Sequence, residues 1–134
     1  YSGVKKFIDT TIEETKKTGE VYTIFGRKRR LDDINSSNVN IRNFAQRAAV
    51  NTPIQGSAAD LIKLAMIKMD LALQKNNMAT KMLLSVHDEI IFETPFEEKD
   101  QLIDLAKKVM ENVHPLNVPL VVNFGSGKNW AEAH

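Results

Sequence analysis

The sequence predicts an α+β fold in which helices pack on one face of an antiparallel sheet. Three observations favour this class. Apolar residues recur at intervals of three and four in several long segments, as in amphipathic helices. Short runs rich in β-branched and aromatic residues flank turn residues, as in β-hairpins. The 134 residues are 43% hydrophobic, so we expect one domain with a real core, or part of a larger domain.

Composition also limits which classes of protein and of metal site are possible. No run approaches the ~18 apolar residues that span a bilayer, and no signal leader is evident, so we expect a soluble protein with no membrane partner. The absence of cysteine excludes disulfides and thiolate metal sites, so any metal must bind oxygen or imidazole. Because the chain begins with Tyr1, we expect a processed product or a fragment.

Charge is distributed unevenly along the chain. The formal net charge is +1, but residues 1–60 carry 10 basic and 7 acidic side chains whereas residues 61–134 carry 8 and 10. The densest basic run is residues 27–30, Arg-Lys-Arg-Arg. Such a run indicates either a polyanion-binding surface or an ordinary solvated face.

The first half predicts a helix, a hairpin and a long interrupted helix. Apolar spacing from Val4 predicts a helix that ends before Gly19. Residues 21–25 and 28–31 predict strands around a Gly26-Arg27 turn, and residues 32–38 a polar loop. Residues 39–72 are dominated by helix formers, but Pro53 removes a backbone donor and predicts a kink or break. Ser57 and Asp60 have the spacing of a capping box, which predicts a second helix start at Ser57.

The second half predicts a helix, a hairpin, another helix and a strand. A buried stripe is expected on the helix after Ser57, and Glu97 to Val113 predicts a helix stopped by Pro115. A final strand is expected over residues 120–124. The members of the expected stripe are Leu61, Leu64, Ala65, Met69, Ala72 and Leu73.

The most informative segment is Val-His-Asp-Glu-Ile at residues 86–90. Carboxylates inside an apolar β-type run are costly to bury unless a cation or hydrogen-bond donors compensate them. The run therefore predicts a hairpin that carries His87 and Asp88 at its turn, either as a metal site or as a solvated turn. Oxygen ligands favour Mg²⁺ or Mn²⁺, and Asp88 fits that role. His87 fits a ligand, a phosphate donor or a turn residue.

A second candidate is the polar set Arg47, Asn51 and Gln55. Spacing by four places these side chains on one face of a helix, with a drift of about 40° per step. Their donors suit the minor-groove acceptors that every base pair presents, so the set would read duplex shape rather than sequence. An exposed polar helix face is the alternative interpretation.

Four segments together resemble family A DNA polymerases, the bacterial DNA polymerase I group. Residues 47–60 resemble the signature where the family's fingers meet its palm, and residues 85–93 resemble its motif C. Residues 21–29 resemble its fingers hairpin, and residues 127–134 its C-terminal end. The resemblance follows the family's order along essentially the whole chain. It implies a fragment of a larger polymerase domain, with distal fingers at residues 1–45 and palm at residues 46–134.

The resemblance also implies roles for single residues. Asp88 corresponds to the motif C aspartate that binds two catalytic Mg²⁺ ions, for which Mn²⁺ can substitute, and Glu89 to its catalytic neighbour. Arg47, Asn51, Gln55 and His87 correspond to residues that contact primer–template DNA. The implied reaction is attack of a primer 3′-hydroxyl on the α-phosphate of a dNTP.

The resemblance implies primer–template DNA and dNTP as partners. It also implies the rest of the polymerase chain as a partner, because no counterpart of the family's motif A or motif B is present. We therefore expect residues 1–134 alone to be inactive. A non-catalytic nucleic-acid-binding module and the palm of a single-subunit RNA polymerase remain as alternatives. The bacterial cytoplasm is the favoured location, with an organellar or phage origin left open.

Overall fold

The computed structural model describes residues 1–134, which divide into two compact units at residues Tyr1–Asp60 and Leu61–His134. Helices and two antiparallel hairpins alternate along the chain, so the α+β class is confirmed. The boundary between the two units lies after Asp60. The division into fingers (residues 1–45) and palm (residues 46–134) is a different division, and it stays a prediction. The elements are α1 Ser2–Thr18, β1 Glu20–Tyr22, β2 Lys28–Arg30, α2 Val39–Asn51, a π-helical turn Thr52–Gly56, α3 Ser57–Lys75, β3 Lys81–Val86, β4 Glu89–Glu93, α4 Lys99–Met110 and α5 Trp130–Ala133.

The first unit begins as the sequence predicts. Helix α1 ends at Gly19, whose φ of 71° suits glycine and whose N–H donates to the carbonyl of Thr15. Strands β1 and β2 are shorter than expected because the chain turns already at Thr23, whose N–H donates to Arg27 O at 3.0 Å. The polar loop contains a 3₁₀ turn at Asp32–Asn35. Val21, Leu31, Ile34, Ala45, Ala48 and Ala49 form the core of this unit.

The interruption predicted at Pro53 takes the form of a π-helical turn rather than a break. Pro53 lies inside the turn, between α2 and α3. A π turn accommodates a missing backbone donor without ending the helix, and such turns are frequent at functional sites. The structure confirms a helix from Ser57, but the expected capping box is wrong. Ser57 Oγ instead accepts from Ile24 N at 2.9 Å, and Asp60 binds Thr23 and Arg27.

The second unit packs α3 and α4 against the β3–β4 hairpin. Met69, Leu73, Leu102 and Ala106 form its buried core, and the strand residues Met82 and Phe92 pack against them. The stripe expected on α3 is confirmed, since Ala65, Met69 and Leu73 are buried and its other members half-buried. Helix α4 ends at Met110, several residues before Pro115.

The strand expected over residues 120–124 is absent. The second sheet consists of β3 and β4 alone, so the backbone of residues 120–124 has no strand partner. The N–H of Val122 donates to the Glu111 carboxylate at 3.1 Å instead. High β propensity does not create a strand without a hydrogen-bonding neighbour. No helix is long and apolar enough to cross a membrane.

Candidate functional site

Residues 81–93 form the hairpin that the Val-His-Asp-Glu-Ile segment predicts. Strands β3 and β4 pair in antiparallel register, with Val86 opposite Glu89 and only His87 and Asp88 between them. His87 has a positive φ of 54°, a conformation that non-glycine residues adopt infrequently. A register shift near Leu84 adds an irregularity to the ladder. The turn is thus only two residues long, and the paired strands on either side fix its position.

The polar side chains at this turn are exposed. Asp88 makes no hydrogen bond or ion pair within the described chain, so its carboxylate oxygens remain available to a ligand. Glu89 is approached by His134, whose Nε2 lies 3.3 Å from Glu89 Oε1. The His134 ring also meets Trp130 edge-on at 5.8 Å. The end of the chain therefore contacts the carboxylate next to Asp88.

The second unit's last turn is compact because two glycines let the chain approach itself. A Cβ atom on Gly127 would lie 2.8 Å from Ala133 N, and one on Gly125 would overlap Ala133 O. Asn129 caps α5 by accepting from Glu132 N, and Glu132 accepts from Lys128 N. This arrangement fixes α5 and the following His134. His134 has no pattern of its own in the sequence that marks it as a site residue, although it lies in the C-terminal segment that resembles the family.

The hairpin offers part of a metal site. Mg²⁺ is commonly held by one or two carboxylates, with waters and substrate phosphates completing its coordination. Asp88 fits one such carboxylate because it is exposed and unpaired. No group of three or more His, Asp or Glu side chains comes together in residues 1–134.

The polar set on α2 and the π turn lies in the first unit. Arg47, Asn51 and Gln55 are all exposed, and none makes a side-chain hydrogen bond or ion pair within the chain. The opposite side of α2 is closed by Ala45, Ala48 and Ala49, which are buried. The helix thus presents three free polar side chains and anchors itself through small residues.

A cationic depression lies beside this set. Its volume is about 230 Å³, and its lining consists of Arg27, Lys28, Arg29, Asn51, Thr52, Gln55 and Gly56. Three residues of the basic run, Arg27, Lys28 and Arg29, therefore line the same depression as two members of the polar set. Arg29 Nη1 donates to Thr52 Oγ1 at 3.3 Å, which ties the hairpin to the π turn.

Local charge pairs fix the first hairpin. The Tyr22 hydroxyl donates to Glu20 Oε2 at 2.6 Å, and Lys28 Nζ lies 3.2 Å from Glu20 Oε1. The hydrogen bond from Tyr22 and the Lys28 ammonium lower the pKa of Glu20, and the same carboxylate raises the pKa of Tyr22. Glu20 thus stays ionised and holds Lys28 across the strand pair.

The predicted site residues fall into two groups. Arg47, Asn51 and Gln55 belong to the first unit, and His87, Asp88 and Glu89 to the second. All six side chains are exposed. Their roles in binding and catalysis stay predictions.

Comparisons with known proteins match nearly the whole chain. The family model described as DNA polymerase family A matches residues 1–132. DNA polymerase I of Caldicellulosiruptor bescii is 49% identical over 132 residues, which cover 98% of this chain and 16% of the relative. DNA polymerase I of Bacillus subtilis is 47% identical over 133 residues, which cover 99% of this chain and 15% of the relative.

A solved structure gives the same result in three dimensions. The POL domain of Pol1 from M. smegmatis, in complex with DNA primer-template and dNTP, superposes with a TM-score of 0.95 at 42% identity. The match covers 99% of this chain and 24% of that chain, so the present chain is similar to a fragment of a larger polymerase. The family match over residues 1–132 shows that this chain belongs to DNA polymerase family A.

Proposed function

We propose that this chain is part of a template-directed DNA polymerase that transfers a nucleotide from dNTP to a primer 3′-hydroxyl. The family match and the similarity to DNA polymerase I support the reaction class. The M. smegmatis neighbour binds primer-template and dNTP, and the same partners are proposed here. The bacterial origin of the relatives supports a bacterial cytoplasmic location.

Asp88 is the proposed metal ligand, and Glu89 its supporting acid. When bound, two Mg²⁺ ions would stabilise the attacking and leaving oxygens of the displacement. Asp88 contributes an exposed carboxylate at the tip of a paired hairpin. His134 holds the neighbouring Glu89 carboxylate by a contact of 3.3 Å, so the two acids of the turn are in different environments.

Arg47, Asn51, Gln55 and His87 are the proposed DNA contacts. All four side chains are exposed and free of protein hydrogen bonds. Arginine and amide groups donate to base-edge acceptors in the minor groove or to the backbone. Such contacts favour affinity without sequence preference, which suits an enzyme that must copy any template.

The observation that carries the proposal is the state of Asp88. Asp88 lies exposed at a two-residue turn and makes no hydrogen bond or ion pair within the chain, so the described fold does not use its charge. A ligand outside the protein would explain its presence. The proposal therefore predicts that its charge matters for activity rather than for folding.

Primer extension by the full-length protein with Mg²⁺ tests this prediction. Asp88→Asn keeps the size of the side chain but removes its charge, so we expect extension to fall by at least about 100-fold while primer–template binding persists. Asp104→Asn is the matched control, because Asp104 is an exposed acid on α4 outside the proposed site, and it should retain extension.

Three outcomes would contradict the proposal. If Asp88→Asn extends primers as well as the unsubstituted protein does, Asp88 is not a catalytic metal ligand. If the full-length protein binds DNA but never extends a primer, the chain belongs to a non-catalytic binding module instead. Loss of both binding and thermal stability in Asp88→Asn would also contradict it, because the residue would then be structural.

Residues 1–134 by themselves are proposed to be inactive. The chain spans about one sixth of the curated relatives it matches. It gathers no group of three metal-binding side chains. The remainder of the polymerase is therefore the proposed source of the other ligands and of the dNTP-binding residues.

A further inference from the structure

The first hairpin is bonded to both ends of the π turn. At the start of the turn, Arg29 Nη1 donates to Thr52 Oγ1 at 3.3 Å. At its end, Arg27 Nη2 donates to Gly56 O at 3.3 Å, and Ile24 N donates to Ser57 Oγ at 2.9 Å. A segment held at both ends by one partner has its backbone geometry set by that partner.

Asp60 accepts hydrogen bonds from two residues of the same hairpin segment. Its Oδ1 accepts from Arg27 Nε at 2.8 Å and its Oδ2 accepts from Thr23 Oγ1 at 2.7 Å. Thr23 Oγ1 in turn accepts from Arg27 N at 3.2 Å. The Asp60 side chain is 11% exposed and Thr23 is 5% exposed. Thr23, Arg27 and Asp60 thus form a closed hydrogen-bonded cluster, which we call the latch.

The latch requires a close approach at Gly56. A Cβ atom there would lie 2.8 Å from Thr23 Cγ2 and 3.4 Å from Arg27 Nη2. The absence of a side chain at Gly56 therefore lets the latch close over the end of the π turn. Thr52, at the other end, is also buried and donates to Ala48 O at 2.7 Å.

The π turn changes where Gln55 points. In an α-helix a four-residue step overshoots a full turn by about 40°, so Arg47, Asn51 and Gln55 would drift steadily around the helix. A π-helix has i→i+5 hydrogen bonds and therefore more than four residues per helical turn. A four-residue step along it thus falls short of a full turn. The step from Asn51 to Gln55 crosses the π turn. It therefore reverses the drift of the step before it and brings Gln55 back into line with Arg47.

We infer that Asp60 is a positioning residue: through the latch it holds the π turn in the geometry that aligns Gln55 with Arg47 and Asn51. The inference rests on the proposed DNA contact of Gln55. Asp60 does not touch the nucleic acid in this scheme. It acts on binding through Thr23, Arg27 and the backbone of Gly56.

The test is equilibrium binding of a primer–template duplex to the full-length protein. We expect Asp60→Asn to raise Kd about tenfold, the lower end of the loss that follows removal of an outer-shell partner at a metal site, with kcat at saturating DNA little changed. Asp70→Asn is the matched control on the same helix, since Asp70 is exposed and accepts one bond from Gln74. Its Kd should not change.

A double-variant cycle separates positioning from a merely structural role. If Asp60 acts through Gln55, then Asp60→Asn adds little to the effect of Gln55→Ala, and the two changes in binding free energy are not additive. Additive changes would overturn the inference. If Asp60→Asn leaves Kd unchanged while Gln55→Ala raises it, the inference about Asp60 is overturned. The proposed function would then remain intact.

Two further outcomes are decisive. An unchanged Kd for Gln55→Ala would remove the proposed DNA contact, and the inference with it. If Asp60→Asn does not fold, Thr23→Val and Thr23→Ser replace it. Thr23→Val removes the hydroxyl that bonds Asp60 and should raise Kd, whereas Thr23→Ser keeps it and should bind normally. Equal Kd values for these two variants would overturn the inference.

Discussion

His87 has a backbone conformation that glycine adopts more easily. Its φ is 54°, and the only other non-glycine residue with a positive φ is Asn77, at 50°. A side chain at such a position costs about 1 kcal/mol or more. Asparagine and histidine are both enriched in this region relative to other side chains, so the cost is at the low end at both positions. The imidazole proposed to contact DNA is therefore held at the tip of the hairpin by a backbone conformation that few side chains adopt.

Glycine substitution should separate the two contributions of His87. In the full-length protein, His87→Gly should raise the unfolding free energy by up to about 1 kcal/mol because it relieves the strained φ. Primer extension should nevertheless fall, because the imidazole proposed to contact DNA is lost. Denaturant unfolding and steady-state extension measure the two effects.

Asn77→Gly is the matched control for this substitution. It changes the other positive-φ position, which lies between α3 and β3 outside the proposed site, so stability should not fall and extension should be unchanged. Normal extension by His87→Gly would show that the imidazole has no role in the reaction.

Single residues also show where local sequence patterns fail. Ser57 and Asp60 have the spacing of a helix cap, and a pattern of i and i+3 is all that a local reading can detect. Asp60 instead bonds Thr23, 37 residues earlier in the chain. No feature of residues 57–60 alone encodes that partner. The β-rich run at Val21 and the Gly26 turn signal were the available hints that a hairpin would lie nearby.

At the scale of elements, the loop before β3 is fixed by one carboxylate. Glu98 accepts hydrogen bonds from Ala79 N at 2.8 Å, Thr80 N at 3.0 Å and Thr80 Oγ1 at 2.7 Å. The backbone bond from Ala79, followed by the Thr80 hydroxyl, lowers the pKa of Glu98. The turn before α4 thus anchors the start of the β3–β4 hairpin.

This anchor should make hairpin stability depend on pH. Because the pKa of Glu98 is lower in the folded state, its contribution is present above the unfolded-state pKa of about 4.3 and is lost as pH falls through the folded-state pKa. Glu98→Gln should therefore destabilise the full-length protein at pH 7, with a difference that shrinks towards pH 3.5. Urea unfolding across this range measures it.

Glu97→Gln is the control, since Glu97 is exposed and makes no hydrogen bond within the chain. It should follow the unsubstituted protein at every pH. A Glu98→Gln difference that stays constant from pH 7 to pH 3.5 would show that the carboxylate charge is irrelevant to the anchor.

Elements were predictable where the signal was local. The end of α1 at Gly19, the β3–β4 turn at residues 87 and 88, and the stripe on α3 all follow from periodicity and turn residues. The prediction of a strand over residues 120–124 was wrong because a strand needs a hydrogen-bonded neighbour, which β propensity alone does not supply. Pro53 marked an interruption, but the choice of a π turn depends on the hairpin bonded around it.

At the scale of the whole molecule, two cores support two groups of site residues. The first unit carries the excess of basic side chains and the second the excess of acidic ones. This division suits polyanion contacts by the first unit and cation binding by the second. The chain nevertheless spans only 15–16% of the length of the DNA polymerase I relatives that it matches.

The purified chain of residues 1–134 should therefore not extend a primer. A single exposed aspartate and no group of three ligands do not hold two metal ions. The measurement is primer extension with Mg²⁺ at high protein concentration. The same chain carrying Asp88→Asn is the control for contaminating polymerase. Extension above that control would contradict the prediction, because it would place a complete active site within these residues.

The π turn also limits what insertions and deletions this region can tolerate. Residues 39–75 run as one continuous helical path with the π turn in its middle, and each residue of an α-helix rotates the following chain by about 100°. Loss of one residue from Thr52–Gly56 would convert the turn to ordinary α-helix and rotate Asp60 away from Thr23. Length variation, which surface loops absorb easily, is thus excluded here by geometry. The length of the Thr52–Gly56 segment should therefore stay constant wherever the β1–β2 hairpin that bonds to it is present.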